Sequence, residues 1–316
     1  MIGVIGGGAF GTALALALAK DGKEVCLWAR DPVAMMVEGQ NARHLPGLYF
    51  PSNLRVTGKS EDLARADVIL IAVPMQAMGE VLAAHAKQFA GKTLVACCKG
   101  VDRQSLTGPS QVIATACPQA IPAVLTGPSF AKDIANGLPT ALTFACASEN
   151  APDLQARLST GNLRLYLTDD LVGAELGGAL KNVIAIACGA TMGAGLGESA
   201  RAATMTRGFA EMQRLAAAMG GRPETLSGLS GFGDLTLTCT SPTSRNYAHG
   251  FALGAGDKTD PTRTVEGVHT AQAVAQLAQA RGLDLPITKV VADLVAGHTT
   301  METAKAALLA RPLKEE

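Results

Sequence analysis

Residues 1–20 read MIGVIGGGAFGTALALALAK, in which a short apolar run is followed by a cluster of glycines and then by alanines and leucines. The pattern predicts a strand over residues 1–5, a tight turn over residues 6–11 and a helix over residues 12–20. A signal peptide would begin with a basic region, and a membrane span would contain fewer glycines. We therefore expect these residues to form the first strand–turn–helix unit of a soluble, cytoplasmic protein.

The glycines of the turn, Gly6, Gly8 and Gly11, have the Gly-x-Gly-x-x-Gly spacing found where a helix N-terminus meets the pyrophosphate of a dinucleotide. The first glycine permits the turn, the second lets the backbone approach the phosphates, and the third lets the helix pack against the strand. A turn with only a structural role is the alternative. The strand before the motif and the helix after it favour a dinucleotide site.

The end of the second predicted strand bears on the identity of the dinucleotide. An acidic residue about 20 residues beyond the glycines would bind the ribose 2′-hydroxyl of NAD. Ala29 stands at that position and Arg30 follows it, and an arginine can pair with the 2′-phosphate of NADP. NADP(H) is therefore favoured. Asp31 leaves NAD(H) as an alternative, and a solvated surface charge is the structural interpretation of Arg30.

Further apolar runs of strand length alternate with helical patterns, at residues 23–28, 67–74, 93–98 and 123–126. Continuous apolar runs are typical of parallel strands that are buried on both faces. From about residue 170 the pattern changes to long helices rich in small residues, with no clear strand. We predict an α/β fold in which an N-terminal Rossmann-type doubly wound sheet is followed by an all-helical C-terminal domain. The predicted domains are a dinucleotide-binding domain (residues 1–170) and a substrate-binding, catalytic domain (residues 171–316).

Composition restricts the classes of partner. Of the 316 residues, 48% are hydrophobic, and 27 basic residues balance 27 acidic ones. A neutral chain gives no sign of nucleic-acid binding or of an anionic membrane surface, and we expect no membrane insertion. Seven cysteines without a CxxC pair favour buried thiols over disulfides, and five scattered histidines predict no metal site.

Two segments place polar groups at the ends of predicted strands. Lys99 lies in CCKG, residues 97–100, and Gly127 and Ser129 lie in TGPSFA, residues 126–131. Ligands in open α/β sheets bind at the carboxyl ends of the strands, where a lysine can hold a phosphate or a carbonyl oxygen. A surface lysine and an ordinary β-turn are the structural alternatives for these two segments.

Lys181 lies in LGGALKNVIAI, residues 176–186, and is followed by Asn182. These two are the only strongly polar side chains between Glu175 and Glu198. Burial of a lysine is costly unless the lysine is paired, and it lowers the lysine pKa towards neutral pH, where the side chain can exchange a proton. We predict that Lys181 is a general acid and base. A lysine whose ammonium extends to the surface is the alternative.

The segment SGFGDLTLTCTSPTSRN, residues 230–246, concentrates the remaining polar chemistry. Asp234 is suited to orient a lysine, Thr238 adds a hydroxyl, and Arg245 with Asn246 offers donors for a phosphate. A reductase of a small phosphorylated ketone needs a hydride donor, an acid for the developing alkoxide, a partner for that acid and a phosphate anchor. A polar loop between helices is the structural alternative.

Together these segments resemble the bacterial-type NAD(P)-dependent glycerol-3-phosphate dehydrogenases over nearly the whole chain. The matching motifs occur in the family's order and spacing: GGGAFGTALA, CCKG, GPSFA, GGALKNVIAIACG, TRGFAEM, GFGDLTLTCTSPTSRN and VEG. The resemblance implies the reversible reduction of dihydroxyacetone phosphate to sn-glycerol 3-phosphate for phospholipid synthesis. It also implies a Rossmann domain, a helical C-terminal domain and a homodimer.

The resemblance also implies roles for individual residues. Lys181 matches the lysine that transfers the proton, Lys99 matches a lysine near substrate and cofactor, and Asp234 and Thr238 match the supporting polar residues of the catalytic group. The substrate-binding positions are Lys99, Gly127, Ser129, Lys181, Asp234, Ser244, Arg245 and Asn246. The cofactor-binding positions are Gly6, Gly8, Ala9, Phe10, Gly11, Arg30, Lys99, Ala131, Arg245 and Glu266.

One departure from the family pattern and two rival classes bear on this interpretation. Ala9 replaces the serine that is usual in the glycine loop, so a hydroxyl contact to the pyrophosphate is lost while the backbone contacts remain.

A reductase of carboxylate-bearing ketoacids would also use Arg245 as its anion anchor, although the complete SRN cluster favours phosphate. A non-catalytic NADP-binding sensor is disfavoured because Lys99, Lys181 and Asp234 are all present.

Overall fold

The computed structural model describes residues 1–259 and 265–310, and the first half of the chain is built around one eight-stranded sheet. The strands are β1 (Ile2–Ile5), β2 (Val25–Trp28), β3 (Leu54–Thr57), β4 (Val68–Ile71), β5 (Thr93–Ala96), β6 (Ile121–Thr126), β7 (Thr140–Cys146) and β8 (Leu163–Thr168). Their order across the sheet is β3-β2-β1-β4-β5-β6-β7-β8. Because β1 lies between β2 and β4, the strand order reverses there, as in a doubly wound fold.

The first six strands in sequence run parallel, whereas β7 pairs antiparallel with β6 and β8 pairs parallel with β7. The predicted Rossmann-type sheet is confirmed, with two additional strands of reversed direction. The sequence prediction lacks β3, β7 and β8. Edge strands β3 and β8 contain exposed residues, among them Arg55 and Arg164, and β7 begins half-buried, so none of them has the continuous apolar run of a central strand.

Helices cover both faces of this sheet. They are α1 (Ala9–Lys20), α2 (Val33–Glu38), α3 (Met75–His85), α4 (Pro109–Ala116), α5 (Ala131–Ala135) and α6 (Ala151–Leu158), with 3-10 turns at Ser60–Leu63 and Ala86–Phe89. Alternate strand residues enter different apolar cores: Val4 and Leu70 are buried in one, Ile5 and Ile69 in the other. Burial on both faces explains why the central strands are continuously apolar in sequence.

The described residues of the second half of the chain form helices joined by turns and short loops. The helices are α7 (Leu171–Gly193), α8 (Glu198–Ala218), α9 (Pro223–Leu226), α10 (Asp234–Thr240), α11 (Arg245–Ala255), α12 (Glu266–Arg281), α13 (Pro286–Val295) and α14 (Met301–Leu309), and a π-helical turn at Leu229–Gly233 precedes α10. The predicted helical half is confirmed in this part of the chain. The domain boundary at 170/171 stays a prediction, and residues 260–264 and 311–316 of the predicted second domain lie outside the described residues.

The long helix α7 packs into both halves of the protein. By length and composition it could cross a membrane, but 83% of its most apolar window is buried inside the protein, as in the core helix of a soluble protein. Ala174 in its first turn belongs to the same core as Ile69 of the sheet, whereas Val183 belongs to the core of the helical half. Glu175 accepts a hydrogen bond of 3.0 Å from the backbone N–H of Ser110, at the start of α4. The helix therefore joins the two halves through its first turns.

Helix α11 packs against α7 with backbone touching backbone. A methyl group added at Gly189 would lie 2.1 Å from the carbonyl oxygen of Tyr247, and one added at Gly250 would lie 2.0 Å from the carbonyl oxygen of Ile186. Neither methyl group fits unless the two helices move apart, because protein interiors are close-packed. These glycines therefore set the position of α11, and of the predicted anion-binding residues at its start, relative to α7.

Candidate active site

Lys181 projects from α7 into a buried, hydrogen-bonded cluster. Its Nζ donates to Asp234 Oδ1 at 2.7 Å and to Thr238 Oγ1 at 2.8 Å. Asp234 and Thr238 lie one turn apart on α10, and the Thr238 hydroxyl donates to the Asp234 carbonyl oxygen at 2.6 Å. Lys181 is only 8% exposed and Asp234 only 1% exposed. The lysine therefore does not extend to the surface, and its ammonium is paired within the protein.

Lys99 reaches the same carboxylate from the sheet. Its Nζ donates to Asp234 Oδ2 at 2.5 Å and to the carbonyl oxygen of Gly127 at 3.0 Å, and the Ser129 hydroxyl donates to that carbonyl oxygen at 3.1 Å. The segments of Lys99 and Gly127 follow the neighbouring parallel strands β5 and β6, so they meet at the carboxyl edge of the sheet. Asp234 thus bridges two ammonium groups that come from different halves of the chain.

Burial controls the protonation of Lys181. It lowers the pKa of the Lys181 ammonium from 10.5 to about 8; Asp234 opposes this shift and Lys99 reinforces it. A single carboxylate cannot fully offset the charges of two lysines at hydrogen-bond distance, and desolvation further disfavours the charged form. The Lys181 amine can therefore exchange a proton close to physiological pH, as general acid–base catalysis requires.

Two adjacent glycines of α7 allow the cluster to assemble. A methyl group added at Gly177 would lie 2.5 Å from the carbonyl oxygen of Ser230, and one at Gly178 would lie 2.6 Å from Thr126 Oγ1. Ser230 belongs to the π-helical turn that leads into α10, and Thr126 ends β6. Both segments can approach α7 closely, about one turn before the lysine, only because these side chains are absent.

The predicted phosphate-binding residues lie at the start of α11. Ser244 caps this helix, because its Oγ accepts a hydrogen bond of 3.2 Å from the Tyr247 N–H. Asn246 Nδ2 donates to Asn182 Oδ1 at 2.9 Å, and Asn246 Oδ1 accepts from the Gly267 N–H at 2.9 Å. These bonds fix the start of α11 to α7 and α12, next to the Lys181 cluster.

Two cationic side chains, Arg245 and Lys258, line a cavity beside α11. Arg245 is exposed and lines a cavity of about 200 Å³ together with His249 and Lys258. Glu266, at the start of α12, is half-buried. Burial raises the pKa of the Glu266 carboxyl, and the positive charges of Arg245, Lys181 and Lys99 oppose that shift. The arrangement is suited to an anion held by Arg245, with Glu266 facing the same cations.

The glycine loop between β1 and α1 has the shape that a dinucleotide requires. Gly6 has a φ of +118°, and a methyl group there would lie 2.5 Å from the carbonyl oxygen of Ala72. A methyl group at Gly11 would lie 2.1 Å from the carbonyl oxygen of Gly6, whereas one at Gly8 would meet nothing within 4 Å. Two glycines thus hold the turn, and the third faces open space at the N-terminus of α1, where a pyrophosphate fits.

Four of the other predicted cofactor-binding residues belong to α1 or to segments near it. Ala9 and Phe10 begin α1 and are half-buried. Arg30 directly follows β2, the neighbour of β1, and is exposed at the carboxyl edge of the sheet. Ala131 begins α5, which packs against α1. None of these four residues belongs to the hydrogen-bonded cluster around Asp234.

Two asparagines, one bonded to a predicted phosphate-binding residue and one to the glycine loop, had not been assigned a role from the sequence. Asn182 is hydrogen-bonded to Asn246. Its position beside Lys181 in an apolar helix could have identified it from the sequence. Asn41 is bonded to Gly7 and Thr12 of the glycine loop and α1, 34 and 29 residues away. No motif surrounds Asn41, so only the tertiary structure identifies it.

Comparison with known proteins gives one consistent result. Family models for the N-terminus and the C-terminus of NAD-dependent glycerol-3-phosphate dehydrogenase match residues 1–152 and 170–306. Proteins named glycerol-3-phosphate dehydrogenase (NAD(P)+) from Paracoccus denitrificans and a Ruegeria species are each 57% identical to the chain, over all of it and 99% of their own length. The crystal structure of glycerol-3-phosphate dehydrogenase from Coxiella burnetii superposes with a TM-score of 0.92 at 38% identity, covering 98% of both chains.

Proposed function

The chain belongs to the NAD-dependent glycerol-3-phosphate dehydrogenase family, and from that premise we propose that it reduces dihydroxyacetone phosphate reversibly to sn-glycerol 3-phosphate with NAD(P)H. The observation that carries the proposal is the buried cluster in which Lys181 and Lys99 share Asp234. A proton-transferring lysine and a second cation meet there, at the carboxyl edge of a dinucleotide-binding sheet.

Lys181 acts as the general acid of the reduction. A bound reduced nicotinamide would supply the hydride for C2 of the ketone, and negative charge would then develop on the C2 oxygen. The Lys181 ammonium donates a proton to this oxygen and becomes the neutral amine, which gives the secondary alcohol. Asp234 and Thr238 orient Nζ through the bonds of 2.7 and 2.8 Å. In the reverse direction the neutral amine removes the hydroxyl proton.

Lys99 stabilises the negative charge that develops on the substrate. It is fixed by Asp234 and by the carbonyl oxygen of Gly127, so little reorganisation is needed during the reaction. Ser129 completes the substrate loop through its bond to the same carbonyl oxygen. The positioned ammonium is thus available to both the substrate oxygens and the cofactor.

The substrate phosphate binds at the start of α11. Arg245 supplies the charged donor, and Ser244 and Asn246 contribute through the position of the helix N-terminus. Support comes from the exposed Arg245 side chain, whose positive charge acts on the Glu266 carboxyl together with those of Lys181 and Lys99. The helix cannot shift away from α7 easily because Asn246 is bonded to both Asn182 and Gly267.

The glycine loop holds the cofactor pyrophosphate, and the end of β2 selects the adenosine half. Arg30 pairs with a 2′-phosphate, so NADP(H) is favoured over NAD(H). The N-terminal contacts are Gly6, Gly8, Ala9, Phe10, Gly11 and Arg30, and Lys99, Ala131, Arg245 and Glu266 complete the site. By the family resemblance, the protein is a cytoplasmic homodimer that supplies glycerophospholipid synthesis.

Purified protein is expected to consume NADPH in the presence of dihydroxyacetone phosphate, followed by the absorbance of the reduced nicotinamide. Because a charge-assisted contact to the 2′-phosphate is lost with NADH, kcat/KM for NADPH should exceed that for NADH by at least about tenfold. Turnover of carboxylate-bearing ketoacids instead would assign the chain to the rival reductase class. Binding of NADPH without turnover of either substrate type would indicate a sensor.

The pH dependence is expected to have opposite signs in the two directions. Reduction needs the Lys181 ammonium, so kcat/KM should fall as the pH rises through about 8, the lowered pKa of this group. Oxidation of sn-glycerol 3-phosphate needs the neutral amine, so its kcat/KM should rise through the same pH and then level off. Ionisation of the substrate phosphate, near pH 6, is separated from this transition. Initial rates in both directions between pH 6 and pH 10 test the assignment, and parallel profiles would contradict it.

A further inference from the structure

Asn41 is a buried asparagine that connects a distant part of the chain to the glycine loop. It is 3% exposed and lies between α2 and β3. Its Nδ2 donates to the carbonyl oxygen of Gly7 at 2.9 Å and to the hydroxyl of Thr12 at 2.8 Å. An amide nitrogen has two protons, so both donors of Asn41 are used on the loop and on the helix that follows it.

Backbone hydrogen bonds of the turn that follows Asn41 hold this residue in place. Its own carbonyl oxygen accepts from the N–H groups of His44 at 3.1 Å and Leu45 at 2.8 Å. Leu45 is 4% exposed and belongs to the core on one face of the sheet. The side-chain amide of Asn41 is therefore presented to the glycine loop by a turn that is anchored in the core.

The bond to Gly7 fixes the orientation of the next peptide group. In a trans peptide the C=O of one residue and the N–H of the next point in opposite directions. With its C=O directed towards Asn41, the Gly7–Gly8 unit directs the Gly8 N–H away from Asn41. No acceptor for this N–H is found in residues 1–259 or 265–310, and a methyl group at Gly8 would meet nothing within 4 Å. The Gly8 N–H therefore points away from Asn41 and has no acceptor among the described residues, at the residue that caps α1.

A peptide between two glycines needs such a restraint. Glycine adopts many backbone conformations at similar cost, so a Gly–Gly unit can rotate more easily than any other. Of the described side chains, only Asn41 has a hydrogen bond to the Gly7 carbonyl oxygen. Neighbouring residues restrict the position of Gly7, since a methyl group there would lie 2.8 Å from Ala29 Cβ, but packing alone does not set the direction of the carbonyl group.

We infer that Asn41 is a positioning residue for the cofactor: it holds the Gly7–Gly8 peptide so that the Gly8 N–H donates to the pyrophosphate of the dinucleotide. The inference rests on the proposed binding of the pyrophosphate at the glycine loop. Asn41 itself contacts neither the cofactor nor the substrate in this arrangement. Its effect is to keep one phosphate donor oriented before the cofactor arrives, which reduces the ordering that binding requires.

The test compares two ligands on the variant Asn41→Leu, which keeps a similar volume but has no donor. NADPH carries the pyrophosphate, whereas 2′-AMP carries only the adenosine and the 2′-phosphate. The Kd of NADPH, measured by titration calorimetry, should rise by roughly tenfold or more, as for the loss of a hydrogen bond to a charged group. The Kd of 2′-AMP should change less than about twofold, because that ligand makes no contact with the Gly8 N–H.

Asn53→Leu is the matched control. Asn53 Nδ2 also bridges two backbone carbonyl oxygens, those of Ala19 at 2.7 Å and Lys23 at 2.8 Å, but it lies away from the glycine loop. This variant should lose thermal stability while binding NADPH as the wild type does. If Asn41→Leu does not fold, Asn41→Ala provides the same comparison, since it removes both donors and leaves more space.

The outcomes separate the inference from the proposed function. An unchanged NADPH Kd in the Asn41 variants, or an equal weakening of NADPH and 2′-AMP, would overturn the inference and leave the proposed function standing. Failure of the wild type to bind NADPH or NADH at all would overturn both. Selective loss of NADPH affinity in the Asn41 variant, with normal affinity in Asn53→Leu, is the expected result.

Discussion

Replacing Lys181 with methionine is expected to lower kcat for dihydroxyacetone phosphate reduction by roughly 1000-fold, the usual effect of removing a general acid. Methionine has a similar length and suits an apolar helix, so the fold should be retained. Asp234 would keep its ion pair with Lys99, which limits the cost of the buried carboxylate. The Kd of NADPH should stay within about threefold, because the removed ammonium acts on the substrate oxygen and not on the glycine loop.

Lys20→Met provides the control for this prediction. Lys20 also donates from Nζ to a backbone carbonyl oxygen, that of Ala135 at 2.9 Å, but it lies at the end of α1, away from the cluster. Its activity should match that of the wild type. In a Lys181→Ala variant, added primary amines should restore part of the rate, since they supply the missing acid. A Lys181→Met protein that keeps more than a tenth of the wild-type kcat would refute the assignment of this lysine.

Replacing Gly250 with alanine is expected to destabilise the protein by about 1–3 kcal/mol, although alanine is the better helix former. The added methyl group would lie 2.0 Å from the carbonyl oxygen of Ile186, so α11 must move away from α7. Movement of α11 would carry Arg245 away from Lys181. Misplacement of a substrate anchor by 1 Å can cost 100-fold in rate, so kcat/KM should fall by at least about tenfold.

Gly79→Ala is the matched substitution for Gly250→Ala. Gly79 also lies inside a helix, α3, but a methyl group there would meet only Val112 Cγ1, at 3.9 Å. Without a clash, the substitution should stabilise the protein by about 0.5–1 kcal/mol through helix propensity. Urea unfolding of both variants, with kcat/KM for dihydroxyacetone phosphate, measures the two effects. Equal or greater stability of Gly250→Ala would show that the two helices can separate without cost.

The sequence identifies those parts of the fold that depend on local patterns. The strand, glycine turn and helix of residues 1–20 were predictable because the motif needs only neighbouring residues. Strands β3 and β8 were not, since edge strands expose part of their surface and have no continuous apolar run. The apolar helix around Lys181 predicted a buried lysine, and its side chain is buried; its role as general acid stays a prediction.

Other properties of the site depend on contacts between distant segments. The sharing of Asp234 between two lysines joins residues that are 135 and 53 positions apart, so no local pattern contains it. The bonds of Asn41 to the glycine loop are equally non-local. Gly177 and Gly178 are visible in the sequence, but their purpose follows only from the two segments that approach them.

Helix α7 contributes residues to the cores of both halves of the protein, and this has a consequence for recombination between related genes. A crossover at residue 170, where the chain leaves the sheet, would combine one protein's strands with another protein's Ala174 and Glu175. Those two residues fill the core beneath the sheet and bond the start of α4, so they must fit the first half. In a chimera joined there, the first turns of α7 would come from one protein and the residues they pack against from the other. The segment that must be exchanged together with the nucleotide-binding half therefore extends past residue 170. We expect a hybrid to fold only if the first turns of α7 come from the same protein as that half.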